Sequence, residues 1–354
     1  MPTILLQNGR IFDGENYIFG DILIADGKIS AIASHIDTNA TCCFDMSGKT
    51  ILPGLVDVHM HIAGLSPAAW GTMAQAACFP FGVTAAADCS TALRMQGSLD
   101  ILGIDAVVFP EVFTRNDEAQ LLQAEQLLEH YGPYAAGVKV CYDLRDDPTL
   151  RTTRPLEQIC DFAHSRGLQV VVHTTNTPIP MAELLDVLGP GDIATHVYHG
   201  TTHNIRADNF SCIHHAKARG VIIDSGFGGS AHVDFSIFTD AVAAGAGPDT
   251  ISTDLVHQIL FTRGGRYGMT MCMSMAKHMG MTEDAVFRAV TTKAGASLGR
   301  PWGRLTEGAT ADLCVLEVGE EPFNLTDRAG NRIQSSTGYR CCLTLKHGTV
   351  VYRR

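Results

Sequence analysis

The sequence lacks the features of several large classes of protein. No stretch approaches the roughly 18 uncharged apolar residues that a membrane span needs, so we expect no membrane partner. Lysine and arginine form no cluster, and the formal net charge is −11. Because a nucleic acid would need a positive surface for its phosphates, we expect no nucleic-acid partner either.

Signals for export and for disulfide pairing are also missing. The N-terminal "MPTILLQNGRIFDG" has no basic segment followed by an apolar stretch and a small-residue cleavage site, so we expect a cytoplasmic protein. The eleven cysteines are odd in number and are scattered through apolar contexts. We interpret most of them as small, buried hydrophobic side chains rather than as bridges or zinc ligands.

The two ends of the chain have the same sequence pattern, which predicts short strands separated by turns. "GDILIADGKISAIA" near the start contains an Asp-Gly turn, and "CCLTLKHGTVVYR" near the end has Lys346-His347-Gly348 at its turn. We therefore predict that residues 1–52 and 305–354 together form one small β-sandwich domain.

Between these ends, eight strand-like apolar runs alternate with helix-like stretches. The helix-like stretches include "NDEAQLLQAEQLLEHYG" and "PLEQICDFAHSRG", which have helical spacing of apolar residues and a closing glycine. Eight such units predict an α/β fold, a (β/α)8 TIM barrel over residues 53–304, with a doubly wound sheet as the alternative. The eight runs are "TILPGLVDVHMH", "GVTAAAD", "DAVVFPEV", "GVKVCYD", "LQVVVHTT", "DIATHVYHG", "GVIIDSGFG" and "DTISTD".

Polar side chains stand at the ends of these runs, where a barrel of this type builds its active site. Imidazole and carboxylate groups are ligands for zinc and related divalent ions, and a pair of ions needs about this many ligands. Taken singly, each histidine could be structural, and Asp254 could cap a helix. Their joint occurrence predicts a metal site formed by His59, His61, Lys139, His173, His196 and Asp254.

Lysine is unusual in such a set, because a protonated ammonium group has no lone pair for a metal. A lysine that loses its proton through burial can add carbon dioxide and form a carbamate with two oxygen ligands. We therefore predict that Lys139 carries a carbamate that bridges two metal ions.

The chain resembles the amidohydrolase superfamily of metal-dependent hydrolases. The resemblance lies in the His-x-His after "PGLVDVHMH", the lysine of "GVKV", the histidines of "VVVHTT" and "IATHVYHG", the aspartate of "STD" and the closing "GRLTEGATADLCVL". It implies two divalent ions, which we expect to be zinc. His59, His61 and Asp254 would hold one ion, His173 and His196 the other, and Lys139 would bridge them.

This resemblance implies hydrolysis of an amide, cyclic amide or ester by a metal-bridging hydroxide, with Asp254 as general acid and base. Relatives that open dihydroorotate have an arginine two residues beyond the His-x-His, whereas this sequence continues Ile62-Ala63-Gly64. In "VVVHTTNTP", "DSGFG" and "TISTDLV" the chain resembles a group that includes deacetylases, which implies a deacetylase-like enzyme acting on a small acylated acid. A cyclic amidohydrolase remains the alternative enzyme, and a non-catalytic scaffold remains the alternative of another class.

The predicted substrate is a small molecule with an anionic group, which needs a basic partner. Arg263 and Arg266 in "FTRGGRYG" follow Asp254 along the chain, and glycines beside them would let a loop close on a ligand. Asn176, His199 and His203 are the next candidates for substrate contact. The sequence leaves open the exact substrate, the metal and whether the protein forms a homo-oligomer.

Overall fold

The computed structural model describes residues 2–62, 71–89, 102–262 and 266–354. The fold is mixed α/β. The strands of its first and middle parts are β1 (Ile4–Phe12), β2 (Tyr17–Ala25), β3 (Lys28–Ala33), β4 (Cys42–Asp45), β5 (Thr50–Pro53), β6 (Leu55–Met60), β7 (Val83–Asp88), β8 (Asp105–Val108), β9 (Glu111–Val112), β10 (Thr114–Arg115), β11 (Glu118–Ala119), β12 (Gly137–Cys141), β13 (Gln169–His173), β14 (Ile193–Thr195) and β15 (Ile222–Asp224). The strands of its last part are β16 (Leu313–Gly319), β17 (Phe323–Thr326), β18 (Arg332–Ser335), β19 (Gly338–Lys346) and β20 (Thr349–Arg353).

Strands from the two ends of the chain pair in one eight-stranded sheet. Its order is β20-β19-β16-β5-β1-β2-β3, with β4 also paired to β1. The ends meet where β5 lies antiparallel to β16, with Ile51 opposite Val315. Both of these side chains, together with Ile11 and Ile22, are buried in a hydrophobic core of this sheet. The predicted β-sandwich and its boundaries stay predictions, since the pairing describes a single sheet.

The strands of the middle part pair in parallel. β6, β7 and β8 form one sheet, and β9, β12, β13, β14 and β15 form a second. The predicted strand "DAVVFPEV" is split into β8 and β9 around Pro110, which has no backbone N–H to donate. The predicted strand "DTISTD" makes only single bridges, from Thr250 to Asp224 and, just beyond it, from Leu255 to Met60. Parallel pairing thus runs within each of the two sheets, and single bridges join this extended segment to β15 on one side and to β6 on the other.

Helices lie between these strands. They are α1 (Ala74–Cys78), α2 (Leu121–Tyr131), α3 (Arg154–His164), α4 (Met181–Val187), α5 (Ser211–Ala218), α6 (Phe235–Ala243), α7 (His257–Thr262), α8 (Met269–His278), α9 (Glu283–Ala289) and α10 (Thr292–Ser297). The two helices predicted from "NDEAQLLQAEQLLEHYG" and "PLEQICDFAHSRG" are confirmed as α2 and α3. In the described ranges, none of these helices has the length and apolarity to cross a membrane.

The alternation of side chains along β12 separates core from site. Val138 and Val140 are fully buried in the large core cluster between strands and helices, while Lys139 points to the other face of the strand. All eleven cysteines are free thiols, and seven of them are buried. The interpretation of most cysteines as small hydrophobic residues is therefore confirmed.

The hairpin β17–β18 departs from the terminal sheet to which its neighbours in sequence belong. Its two strands pair only with each other among the described strands. Its buried side chains, Phe323, Leu325 and Ile333, lie in the large core cluster rather than in the core of the terminal sheet. The hairpin therefore packs on the part of the chain that carries the predicted metal ligands.

Candidate metal centre

Six side chains predicted as metal ligands meet at the carboxyl ends of the parallel strands. All are nearly enclosed by protein. Their exposed fractions are 1% for His59 in β6, 9% for His61 just after it, 4% for Lys139 in β12, 7% for His173 at the end of β13, 0% for His196 after β14, and 7% for Asp254 beyond the Thr250 bridge.

Asp254 lies at the centre of the cluster. Its Oδ1 is 3.4 Å from Nε2 of His59 and 3.2 Å from Nε2 of His61, and its Oδ2 is 4.0 Å from Nε2 of His196. Donor atoms of His59, His196 and Asp254 all lie within 4.8 Å of one another. Ligands about 2.0–2.2 Å from a zinc ion have separations in this range, so the donor set fits a divalent cation.

Hydrogen bonds made by Nδ1 of His196 and of His59 determine which nitrogen of each ring keeps its lone pair. Nδ1 of His196 donates to the carbonyl of Gly226 at 2.6 Å, and its Nε2 is buried without a hydrogen-bond partner among the described residues. Nδ1 of His59 donates to Oγ1 of Thr195 at 3.2 Å, and that hydroxyl donates to Asp224 at 2.8 Å. Both rings therefore turn an unprotonated Nε2 towards Asp254, as metal-binding histidines do.

A buried carboxylate, Asp143, lies beside the ring of His173. Nε2 of His173 is 3.5 Å from Oδ2 of Asp143, which also accepts from Nδ2 of Asn176 at 3.2 Å and from Nε of Arg145 at 2.9 Å. Burial raises the pKa of Asp143, but contacts with His173 and Arg145 outweigh it and hold that pKa well below its ordinary value. Nε2 of His173 has no hydrogen-bond partner of normal geometry among the described residues, so the charged Asp143 faces this ring at ion-pair distance only.

The site favours the protonation states that metal binding requires. Burial, aided by the charge of Lys139, lowers the pKa of His59 well below its ordinary value, and burial does the same for His196. Burial would raise the pKa of Asp254, but His59 and His61 hold it well below its ordinary value. Neutral imidazoles and an ionised carboxylate therefore face one another.

The pKa of Lys139 differs from what the sequence led us to expect. Its Nζ lies 3.0 Å from Nε2 of His59. Burial alone would lower the pKa of the ammonium group, but the groups around it, Cys141, Cys89, Glu111 and Asp254, leave that pKa above its ordinary value. Burial alone therefore does not favour the neutral amine, contrary to the expectation from the sequence, and the carbamate stays a prediction. Divalent cations beside the amine would oppose the ammonium charge, so carbamate formation must depend on metal binding.

Two strained residues and a second buried carboxylate fix the arrangement. His196 has φ +66° and Asp254 has φ +47°, a left-handed conformation that costs about 1–2 kcal/mol for a residue with a side chain. Asp57 accepts from the backbone N–H of His59 at 3.2 Å and from the hydroxyl of Thr253 at 2.5 Å. It thereby ties β6 to the residue before Asp254.

A cavity of about 660 Å³ opens beside the cluster, a size that suits a small organic molecule. The side chains around it carry both signs of charge. They belong to His61, Cys89, Glu111, Val112, Phe113, Thr114, Lys139, Cys141, Arg145, Asp146, Asp147, His173, His232 and Asp254.

The predicted basic contacts after Asp254 need correction. Arg266 is exposed and lines a separate surface cavity with Phe81, Thr270 and Tyr339, because the chain turns into α8 on another side of the fold. Arg263 lies outside the described residues. Arg266 is therefore not placed to hold a substrate in the metal cavity.

The other three candidates for substrate contact also lie behind or beside the cavity. Asn176 supports Asp143, as described above. His199 is 1% exposed and its Nδ1 bonds the hydroxyl of Thr201 at 2.8 Å, while His203 is half-buried in the following turn. None of the three is among the residues that line the metal cavity.

Sequence reasoning missed two side chains of the cavity, His232 and Arg145. Nε2 of His232 is 3.5 Å from Oδ2 of Asp254, and its Nδ1 lies 3.0 Å from Oγ1 of Thr175. A Cβ on Gly228 would come within 2.4 Å of the His232 ring, so the glycines of "GFGGS" make room for it. A glycine-rich loop that follows a strand and ends in histidine was the available signal.

Comparison with known proteins identifies the group to which this arrangement belongs. The model of the amidohydrolase family matches residues 50–336, a range that contains all six predicted ligands. The chain belongs to the amidohydrolase family. It is therefore an enzyme, a metal-dependent hydrolase, and the recognition based on its motifs is confirmed.

Individual relatives agree with this assignment. The chain is 27% identical over 344 residues to a deacetylase of Agrobacterium fabrum, a match covering 88% of this chain and 81% of the relative. A dihydroorotase of Bacillus cytotoxicus is 46% identical, but only over 59 residues, or 16% of this chain and 14% of the relative. Among solved structures, one described as a dihydroorotase covers 100% of this amidohydrolase and 98% of its own chain, with a TM-score of 0.86 and 22% identity.

The hydrogen bond behind His59 gives a direct test of the metal centre. Replacing Thr195 with valine removes the acceptor for Nδ1 of His59, so we expect zinc affinity to fall about 10- to 100-fold. A competition titration against a chromogenic chelator measures this. The matched control is Thr250→Val, which removes another hydroxyl, 2.8 Å from Asp224, without contacting His59. Equal losses in the two variants would contradict the role of the Thr195 contact.

Proposed function

We propose that this amidohydrolase is a binuclear enzyme that removes an acyl group, such as acetyl, from a small carboxylate-bearing substrate. The observation that carries the proposal is the buried donor set around Asp254, in which Nε2 of His196 has no hydrogen-bond partner in the described part of the chain. A buried imidazole nitrogen without a hydrogen-bond partner destabilises the folded protein unless a ligand such as a metal ion binds to it.

Two zinc ions are the proposed occupants. His59, His61 and Asp254 would hold one ion, His173 and His196 the other, and a carbamate on Lys139 would join them. When bound, such ions polarise a carbonyl and lower the pKa of water so that hydroxide is available at neutral pH. The ring of parallel strands that carries these residues is, in this proposal, a (β/α)8 barrel over residues 53–304, with the terminal sheet as the second domain.

Asp254 is the proposed general acid and base. Its low pKa keeps it ionised, so it can accept the proton that water loses as the carbonyl is attacked, and it can return that proton to the leaving oxygen or nitrogen. His61 and His232 lie 3.2 and 3.5 Å from its two oxygens. They hold the carboxylate in place facing the cavity.

Deacylation is preferred to ring opening for two reasons. The deacetylase relative aligns with most of this chain, whereas the dihydroorotase match covers 16% of it. Moreover, Ala63 stands two residues beyond the His-x-His, where dihydroorotate-opening relatives have an arginine, and alanine offers no charge to a substrate.

A substrate screen tests the proposal. Protein loaded with zinc in the presence of bicarbonate is assayed with N-acetyl and O-acetyl carboxylic acids, and in parallel with cyclic imides, hydantoins and dihydroorotate. We expect hydrolysis of acetylated acids. Turnover of the cyclic amides alone would replace the proposal with a cyclic amidohydrolase, and absence of turnover with every compound would favour a non-catalytic scaffold.

Replacement of Asp254 by asparagine separates proton transfer from metal binding. The amide keeps an oxygen for a metal but cannot carry the proton, so we expect turnover to fall by about 10³-fold while at least one metal is retained. Steady-state kinetics and elemental analysis on the same sample measure both. Near-normal turnover would remove Asp254 from the mechanism.

Lys139→Ala tests the bridge. We expect this variant to bind fewer than two metal ions per chain and to lose activity, because a carbamate on Lys139 would supply oxygen ligands to the metal ions. We expect acetate or propionate to restore part of both. Lys346→Ala is the control, since Lys346 is equally buried at 4% exposure but bonds Asp105 and Asp312 instead. Two metals bound to the Lys139→Ala variant without any added acid would contradict the bridging role.

A further inference from the structure

A second group of side chains with metal-binding atoms lies on helix α3 and just before strand β14. It consists of Cys160, His164 and Asp192. One atom from each residue, the Sγ, a ring nitrogen and a carboxylate oxygen, lies within 4.8 Å of the other two. Cys160 and His164 are four residues apart on α3, so they project from the same face of the helix. Three different kinds of donor atom therefore meet at one point.

The carboxylate of Asp192 is held in place by the backbone around it. Asp192 is 1% exposed, its Oδ1 accepts from the N–H of Val170 at 2.8 Å, and its Oδ2 accepts from the N–H of Gly189 at 2.8 Å. Nε2 of His164 lies 3.1 and 2.9 Å from the same two oxygens. Because a carboxylate oxygen can accept more than one bond, the backbone contacts fix the group and still leave it able to bind an ion on the side of α3.

An ion can reach this group from the protein surface. The side chain of His164 is 40% exposed, and with Cys160 it lines a surface cleft beside α3 and α4. A Cβ at Gly189 would come within 3.2 Å of Cε1 of His164, so the glycine leaves room for the ring. Negative charge on the wall of the cleft attracts cations. The acidic residues that line it are Glu157, Asp161, Glu183 and Asp186.

We propose that Cys160, His164 and Asp192 bind a zinc ion or a similar transition metal, at a site separate from the candidate metal centre. Thiolate, imidazole and carboxylate together suit such ions, whereas magnesium and calcium prefer oxygen ligands alone. Zinc ligands lie about 2.0–2.3 Å from the ion, a distance that a small rotation of the exposed imidazole allows. Binding releases the thiol proton of Cys160 to the buffer, and water completes the fourth position.

The proposed site lies at the opposite end of β13 from the candidate metal centre. Asp192 bonds Val170 near the start of this strand, whereas His173 is its last residue, about 10 Å further along at 3.3 Å per residue. None of the three proposed ligands lines the metal cavity. An ion here joins α3 to the segment before β14, so its role is structural. The site shares no residue with the proposed function and does not depend on it.

Cobalt(II) spectroscopy tests the site directly. A cobalt–thiolate bond gives a charge-transfer absorption in the near-ultraviolet, which imidazole and carboxylate ligands do not give, and the six predicted ligands of the metal centre include no sulfur. We expect wild type titrated with Co²⁺ to show this band and Cys160→Ser to lose it. Cys212→Ser is the matched control and keeps the band, since Cys212 is similarly buried, at 5% against 4%, on the neighbouring helix α5.

The thiol of Cys141 lines the metal cavity and provides a second control. Cys141→Ser is expected to keep the band, as is Lys139→Ala, in which the candidate metal centre is impaired. Retention in Lys139→Ala separates this site from the proposed function. Absence of the band from wild type, its survival in Cys160→Ser, or its loss in Cys141→Ser would each overturn the proposal.

His164→Ala keeps the test valid if Cys160→Ser does not fold, because an exposed side chain can be removed without disturbing the core. We expect the affinity for Co²⁺, measured from the thiolate band, to fall at least about tenfold. After gel filtration in metal-free buffer, zinc-loaded wild type should retain about one more zinc ion per chain than the variant, whatever the content of the candidate metal centre. Equal zinc content and equal thiolate absorption in the two proteins would refute the site.

Discussion

The enclosure of Asp254 by four imidazole rings is the constraint on which the rest of the structure depends. A carboxylate and several imidazoles removed from water are stable together only if each charge and each lone pair meets a partner. Asp254 lies within 3.2 to 4.0 Å of ring nitrogens from His59, His61, His196 and His232. These residues belong to segments far apart in sequence, so the fold must bring the ends of several strands to one point and hold them there.

Buried carboxylates behind the cluster provide that hold, and each joins neighbouring strands. Asp57 links β6 to the residue preceding Asp254. Asp224, at the end of β15, accepts from hydroxyls of Thr195, Thr250 and Ser252 at 2.8, 2.8 and 2.6 Å. Burial raises the pKa of Asp57 to about 7 and that of Asp224 to about 6 despite these bonds. Burying these two carboxylates therefore costs free energy of folding. We interpret this cost as the requirement for orienting the predicted ligands, which lie next to the two carboxylates.

The convergence of the six predicted metal ligands was predictable because their positions are tied to strand periodicity. Histidine, lysine and aspartate at the ends of apolar runs must converge if the runs pair in parallel, and the structure brings all six together. The raised pKa of Lys139 was not predictable, since three of the four groups that oppose its desolvation, Cys89, Glu111 and Asp254, come from other segments of the chain. Likewise, Arg266 follows Asp254 closely in sequence but lines another surface cavity, because helix α7 lies between the two residues. Loop residues such as His232 and Arg145 carry no periodic signal, and only tertiary contacts place them.

The terminal sheet also carries the β17–β18 hairpin, which packs outside that sheet. β16 and β19 are neighbours in that sheet, yet the chain between them leaves it, forms β17–β18 and packs on the large core beside His232. A segment inserted between two paired strands can change in sequence without altering either the sheet or the strand ends that hold the ligands. The residues predicted to carry the reaction chemistry thus lie at the ends of paired strands, while the hairpin is a separate excursion of the chain. Changes within such an excursion leave those strand ends and their side chains in place.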